Sequence, residues 1–172
     1  EPFYADFITT PLPVAKFPGS SQLPGTPQVG GGPTALAEFF GDHMLVNGKI
    51  WPKADVEPRH YRMRLLNGCD SRFMVIRFRK ARRPDSTDLR GAGAPMPFWV
   101  IGSDQGLAAK ATEVKELLIG PGERYDVVFD FTQVRQGDRV IIDNIASDAP
   151  FGGSARGNRQ NFFPDRQTDR IM

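Results

Sequence analysis

The chain has 172 residues, 40% hydrophobic and 10% aromatic, which is room for one domain with a sizeable core. Its 22 Lys and Arg stand against 20 Asp and Glu, a net charge of +2 that argues against a dedicated nucleic-acid binder. Eighteen Gly and 15 Pro disfavour long helices, and no run approaches the ~18 apolar residues of a membrane span.

Residues 1–10 have the weak alternation of a short strand. Residues 11–33 follow with six prolines, a Gly30-Gly31-Gly32 run and few charges, the composition of an extended connector. The expected organisation is therefore a Pro/Gly-rich extension over 1–34 and one β-domain over 35–172. Pro24-Gly-Thr-Pro27 has the spacing of a proline-rich ligand, but no basic residue flanks it and a plain linker explains it. Residues 35–40 form a helical turn or enter the next strand.

Two short apolar runs, Met44–Val46 and Ile50-Trp51, are separated by Asn47-Gly48, the strongest short signal for a type I′ hairpin. Pro52 and Pro58 bracket a segment unsuited to a central ladder, since neither has an N–H to give. From His60 to Leu66, Tyr61, Met63 and Leu65 alternate with His60, Arg62 and Arg64, so a strand with one buried and one wet face is expected. Asn67-Gly68 turns the chain, and residues 72–79 read as another strand. Residues 80–97 are polar and rich in Gly and Pro, the pattern of a long exposed loop. Phe98–Gly102 is an apolar run of strand length, and residues 103–106 supply a turn. Residues 113–119 lead through Gly120-Pro121-Gly122 into Glu123–Phe131, where Tyr125, Val127, Phe129 and Phe131 alternate with Asp126, Val128 and Asp130. Residues 139–144 make one more strand, and 147–170 read as a second long loop. Ile171-Met172 resembles the first step of a further strand, so a chain cut short at its C-terminal end is expected. Short strands separated by turn signals predict an all-β antiparallel sandwich or barrel with long loops.

The candidate chemistry is sparse. Metal sites in such folds draw on several His, Cys or carboxylate ligands, commonly as His-x-His pairs. Here His43 and His60 are the two histidines, Cys69 is the one cysteine, and no His follows it. Arithmetic alone permits a site from Cys69, His43, His60 and one of Met44, Met63 or Met74, but a buried turn cysteine and two strand-edge histidines explain the same residues. A single cysteine forms no internal disulfide and leaves the redox compartment open. No Gly-x-Ser-x-Gly elbow is present, and neither Gly30–Gly32 nor Gly91-Ala-Gly93 opens a helix or carries a Lys at P-loop spacing. Asp126 and Asp130 fall on the wet face of their strand and read as solvated. The basic run Arg77–Arg83 suits an anionic partner, or equally a strand end kept soluble by charge, with Asp85 and Asp88 offsetting it.

Two segments carry more information than any ligand count. Gly41-Asp-His-Met-Leu-Val-Asn-Gly-Lys-Ile-Trp-Pro52 continues through Val56–Gly68 to Ser71-Arg-Phe73, and Ile101-Gly-Ser-Asp-Gln-Gly106 is followed by Leu118–Phe131. In order, spacing and turn chemistry these resemble the second domain of three-domain multicopper oxidases, in particular the group of spore-coat laccase, bilirubin oxidase and phenoxazinone synthase. The resemblance covers residues 38–145. It implies a Greek-key, cupredoxin-like β-sandwich whose partners are flanking cupredoxin domains of the same polypeptide. In that family the coppers sit in the first and third domains, on His-x-His and His-Cys-His motifs absent here. The implied role is a copper-free middle domain that spaces its neighbours and lines part of the substrate cleft, inactive alone. The parent would couple one-electron oxidation of a substrate to reduction of O₂ to water, in an extracellular, periplasmic or cell-envelope location. No catalytic, cofactor-binding or metal-binding residue carries over to this chain. The alternative is a free-standing, non-catalytic β-sandwich binding module.

Overall fold

The computed structural model describes residues 39–148 and 168–172, and Phe40–Met172 forms one compact unit. The expectations for residues 1–38, including the connector, the PxxP segment and Gly30–Gly32, lie outside the described residues, as does most of the predicted 147–170 loop.

The hairpin comes first, with β1 (Leu45–Val46) antiparallel to β2 (Lys49–Ile50). Asn47 and Gly48 take φ of 51° and 79°, the two positive values that a type I′ turn requires. Trp51 follows at φ 43°, and its N–H donates to the Met44 carbonyl at 3.3 Å, closing the hairpin's base.

Then come β3 (His60–Leu66), β4 (Met74–Lys80), β5 (Pro95–Met96), β6 (Phe98–Ser103) and β7 (Gly106–Val114). The chain continues through β8 (Leu117–Ile119), β9 (Arg124–Asp130), a 3-10 turn (Phe131–Gln133) and β10 (Val140–Asn144). They assemble into two antiparallel sheets. In the first, β4 is central: β10 pairs with it along one edge, while β8 and β5 share the other, at Met74–Ile76 and Phe78-Arg79 respectively. In the second the order is β3-β9-β6-β7.

The alternation expected of 60–66 is observed, every second residue from Tyr61 being partly buried. β3 pairs with β9 over seven residues, from His60 opposite Asp130 to Leu66 opposite Arg124. The inner faces meet in a core of phenylalanines. Phe78 from the first sheet stacks on Phe129 of the second at 4.5 Å and meets Phe98 edge-on at 5.0 Å, all three with no exposed surface. Ile76, Leu117, Ile119, Val127, Met44 and Ile171 complete the cluster.

Two local expectations need correction. The 80–97 segment is not loop throughout: its end forms β5 against β4, and the Arg79 guanidinium donates to the carbonyls of Ala92 and Gly93 at 2.7 and 2.8 Å. Strand β7 was not anticipated, because Gly106–Glu113 is exposed on both faces and shows no alternation. Its ladder with β6 is broken: Gly102 faces Leu107 and Val100 faces Thr112, leaving residues 108–111 opposite Ile101. Gly102 allows the close approach at the hairpin's tip, since a Cβ there would lie 2.8 Å from the Gly106 carbonyl oxygen. Ile171 is buried and its N–H donates to the Ile142 carbonyl at 2.9 Å, so the apolar pair at 171–172 lies along β10 in the manner of a further strand's first residues.

Candidate functional site

The candidate ligands are dispersed by the fold. Met44 is buried in the core, and Met63 and Met74 pack against it. His60 is on the outer face of β3 and Met63 on the inner, because successive strand residues point oppositely. His60 lies 3.6 Å from Asp130. His43 Nδ1 is 2.9 Å from Asp42, and its ring packs against Trp51 at a centroid distance of 5.3 Å. Cys69 is half-buried in the turn after β3, where burial pushes its thiol pKa up, away from the thiolate a soft metal would take. Among the described residues no group of three or more His, Cys, Asp or Glu is placed to hold a metal ion. Among the described residues, the donor set as the fold arranges it does not fit a copper centre.

Much of the basic run is paired across the sheet, with partners that its sequence neighbours do not reveal. Arg77 chelates Asp143 of β10 through Nε at 3.0 Å and Nη2 at 2.6 Å, and Arg79 reaches the same carboxylate at 3.1 Å. Lys80 pairs with Asp138 at 2.5 Å, and Arg83 with Asp85 at 3.5 Å.

Two buried polar assemblies tie the strands to the segments around them. Asn67 donates through Nδ2 to the carbonyls of Arg72 at 2.8 Å and Ile119 at 3.1 Å, and accepts from the Cys69 N–H, fixing the β3–β4 connection against β8. Arg72, 2% exposed, is ion-paired with Asp148, 1% exposed. It also donates to the Gly41 carbonyl at 2.6 Å and stacks on Phe40 at 5.5 Å, while the Thr168 hydroxyl donates to Asp148 at 2.7 Å. This clasp joins the entry to the domain, the start of β4 and both described ends of the 149–167 segment.

The outer faces of the two sheets differ. On the first sheet Val75, Ile141 and Asp143 point away from the core, yet are only 4%, 3% and 1% exposed. On the second, His60, Arg62, Arg64 and Leu66 of β3 are exposed, and Val128 and Trp99 beside them are half-buried. Arg62 and Trp99 both lie directly opposite Val128, so a cation, a valine and an indole form one row across three strands.

Asp126 and Asp130 border this row and are engaged, not merely solvated. Arg62 donates to Asp126 at 2.7 and 3.4 Å, and the Thr132 N–H and hydroxyl donate to Asp130 at 2.8 and 2.6 Å. These bonds hold both carboxyls below the usual carboxylate range. A carboxyl lowered in the folded state contributes stability above its unfolded pKa of about 3.9, and loses it as pH falls through the folded value. Asp126→Asn is therefore expected to flatten the fall of the thermal midpoint below about pH 4. Melting curves of the two forms that stay parallel on acidification would show that this carboxylate contributes nothing through titration.

No family model matches the chain. Among curated proteins it is similar to the laccase of Bacillus subtilis, 36% identical over 114 residues that make up 66% of this chain and 19% of that protein. It is also similar to the bilirubin oxidase of Albifimbria verrucaria, 37% identical over 137 residues, 80% of this chain and 21% of that one. Among solved structures, the McoA multicopper oxidase from the hyperthermophile Aquifex aeolicus superposes with a TM-score of 0.56 at 29% identity, covering 78% of this chain and 29% of the other. The chain thus spans about a fifth of the length of these curated relatives.

Proposed function

This chain is a multicopper oxidase domain, with the antiparallel cupredoxin-like sandwich of that family, and on this premise we propose that it is the copper-free middle domain of a laccase-like parent enzyme. Copper in the other domains of such a parent supplies the one-electron steps that join oxidation of a reducing substrate to reduction of O₂ to water. The part of this chain is mechanical: a rigid sandwich that spaces its neighbours and lends one surface to the substrate cleft. The observation that carries the reading is the dispersal of His43, His60, Cys69 and the methionines into separate, otherwise satisfied environments. The short span relative to the curated relatives supports it, since a domain covering a fifth of such proteins leaves most of their length for copper-bearing domains.

The test is direct. After incubation with Cu(II) and gel filtration, the chain is expected to retain no stoichiometric copper and to show no intense visible thiolate-to-copper band. One tightly held copper per chain with that band would overturn the copper-free assignment.

A further inference from the structure

We infer that the outer face of the β3-β9-β6-β7 sheet, centred on the Trp99–Val128–Arg62 row, is the surface against which a flanking domain of the same polypeptide docks. The inference rests on the middle-domain reading above and adds which face is used and what it meets.

The outer residues of an antiparallel sheet that faces water are ordinarily polar. The first sheet departs from this because the chain covers it itself. Val75 and Ile141 lie almost fully buried on its outward side, and Arg79 bonds to the carbonyls of Ala92 and Gly93 in the loop beyond. That side is largely covered, with Leu118 beside Val75 the apolar residue left exposed on it, at 40%. The second sheet departs from it with no such cover among the described residues: an indole and a valine sit at the middle of its outward face, half-exposed, with Leu66 at one end 64% exposed. Tryptophan and arginine at the centre of a patch with charged groups around it is the composition of an interface hot spot.

The surrounding charges specify what a partner must offer. Arg62 is held by Asp126 and Arg124 by Asp104, at 2.7 and 3.1 Å, whereas Arg64, across the ladder from Asp126, feels that carboxylate's charge without forming an ion pair among the described residues. A complementary surface therefore presents an apolar patch to Trp99 and Val128 and a carboxylate to Arg64. The size fits as well. Four strands about 4.8 Å apart and about six residues long give a face of roughly 400 Å². Covered on both sides, this lies near the lower end of the interfaces between domains of one chain. The occupant is a flanking domain and not a free partner, because the relatives carry about four-fifths of their length outside the region matched here.

Hydroxyl-radical footprinting, read by peptide mass spectrometry, tests this on the chain alone and on the complete polypeptide that carries it. Trp99 is expected to oxidise roughly fivefold more slowly in the complete polypeptide, because the centre of a docked interface excludes water. Leu118, exposed on the first sheet, is expected to react equally in both. Arg64→Glu, at an exposed position, is expected to restore much of the Trp99 reactivity in the complete polypeptide and to change nothing in the chain alone. Equal Trp99 rates in a polypeptide that does carry copper-ligand domains would remove this inference and leave the middle-domain reading intact. A polypeptide with no such domains would remove both. Protection of Trp99 that rises with the concentration of the chain alone would assign the face to a second copy and overturn the occupant named here.

Discussion

Asp148→Ala is expected to lower the unfolding free energy by about 3–5 kcal/mol, the loss associated with stranding one half of a buried ion pair. Arg72 would keep its charge, 2% exposed, with only the Gly41 carbonyl and the Phe40 ring left of the partners described above. The Thr168 hydroxyl would lose its acceptor at the same time. Burying these two charges is itself expensive, so the pair is not simply a source of stability. Removing both, as Arg72→Met with Asp148→Leu, is accordingly expected to cost much less than removing either. Urea unfolding of the two single variants and the double variant measures the coupling. Additive losses would show that the clasp is two independent contacts.

Phe78→Ala is the second large effect, about 3–5 kcal/mol, through the cavity left where the two sheets meet. The side chain belongs to β4 but touches rings from β6 and β9, so its loss loosens the sandwich itself, not one sheet. Phe78→Leu, which keeps most of the apolar volume, is expected to cost less than half as much. A denaturant midpoint unmoved by Phe78→Ala would mean that the sheets are held together by something other than this core.

How much could be read beforehand depended on how local the determining interaction is. β3 and β9 were legible because their period-two pattern is written in adjacent residues, and the hairpin because Asn47-Gly48 specifies its own backbone. β7 was invisible for the opposite reason: with Leu107 71% exposed and Ala108 to Thr112 also open, no buried face imprints a period on the sequence. The buried ion pair was illegible because its partners are 76 residues apart, and Asp148 stands in a stretch whose polarity suggests only an exposed loop. Asp143 hid likewise inside a short apolar run, where nothing local marks it as the acceptor for Arg77 and Arg79. The placing of His43, His60 and Cys69, by contrast, could not be read from a count of ligand types, because it depends on which face and which turn each one occupies.

The central position of β4 has a consequence in time. Its partners all lie later in the chain, β5 from residue 95, β8 from 117 and β10 from 140. At about 5–20 residues per second, roughly 3–13 seconds of synthesis separate the appearance of β4 from that of the end of β10. During that interval Met74, Val75, Ile76 and Phe78 form a nascent β segment with both edges open, the kind of sequence that associates with copies of itself. Arg77, Arg79 and Lys80 break up that apolar run, and charges so placed act as gatekeepers against aggregation. When β10 arrives, Asp143 aligns opposite Arg77 and takes up two of those charges. The same arginines thus guard the strand while it waits and fasten it once its partner has been made.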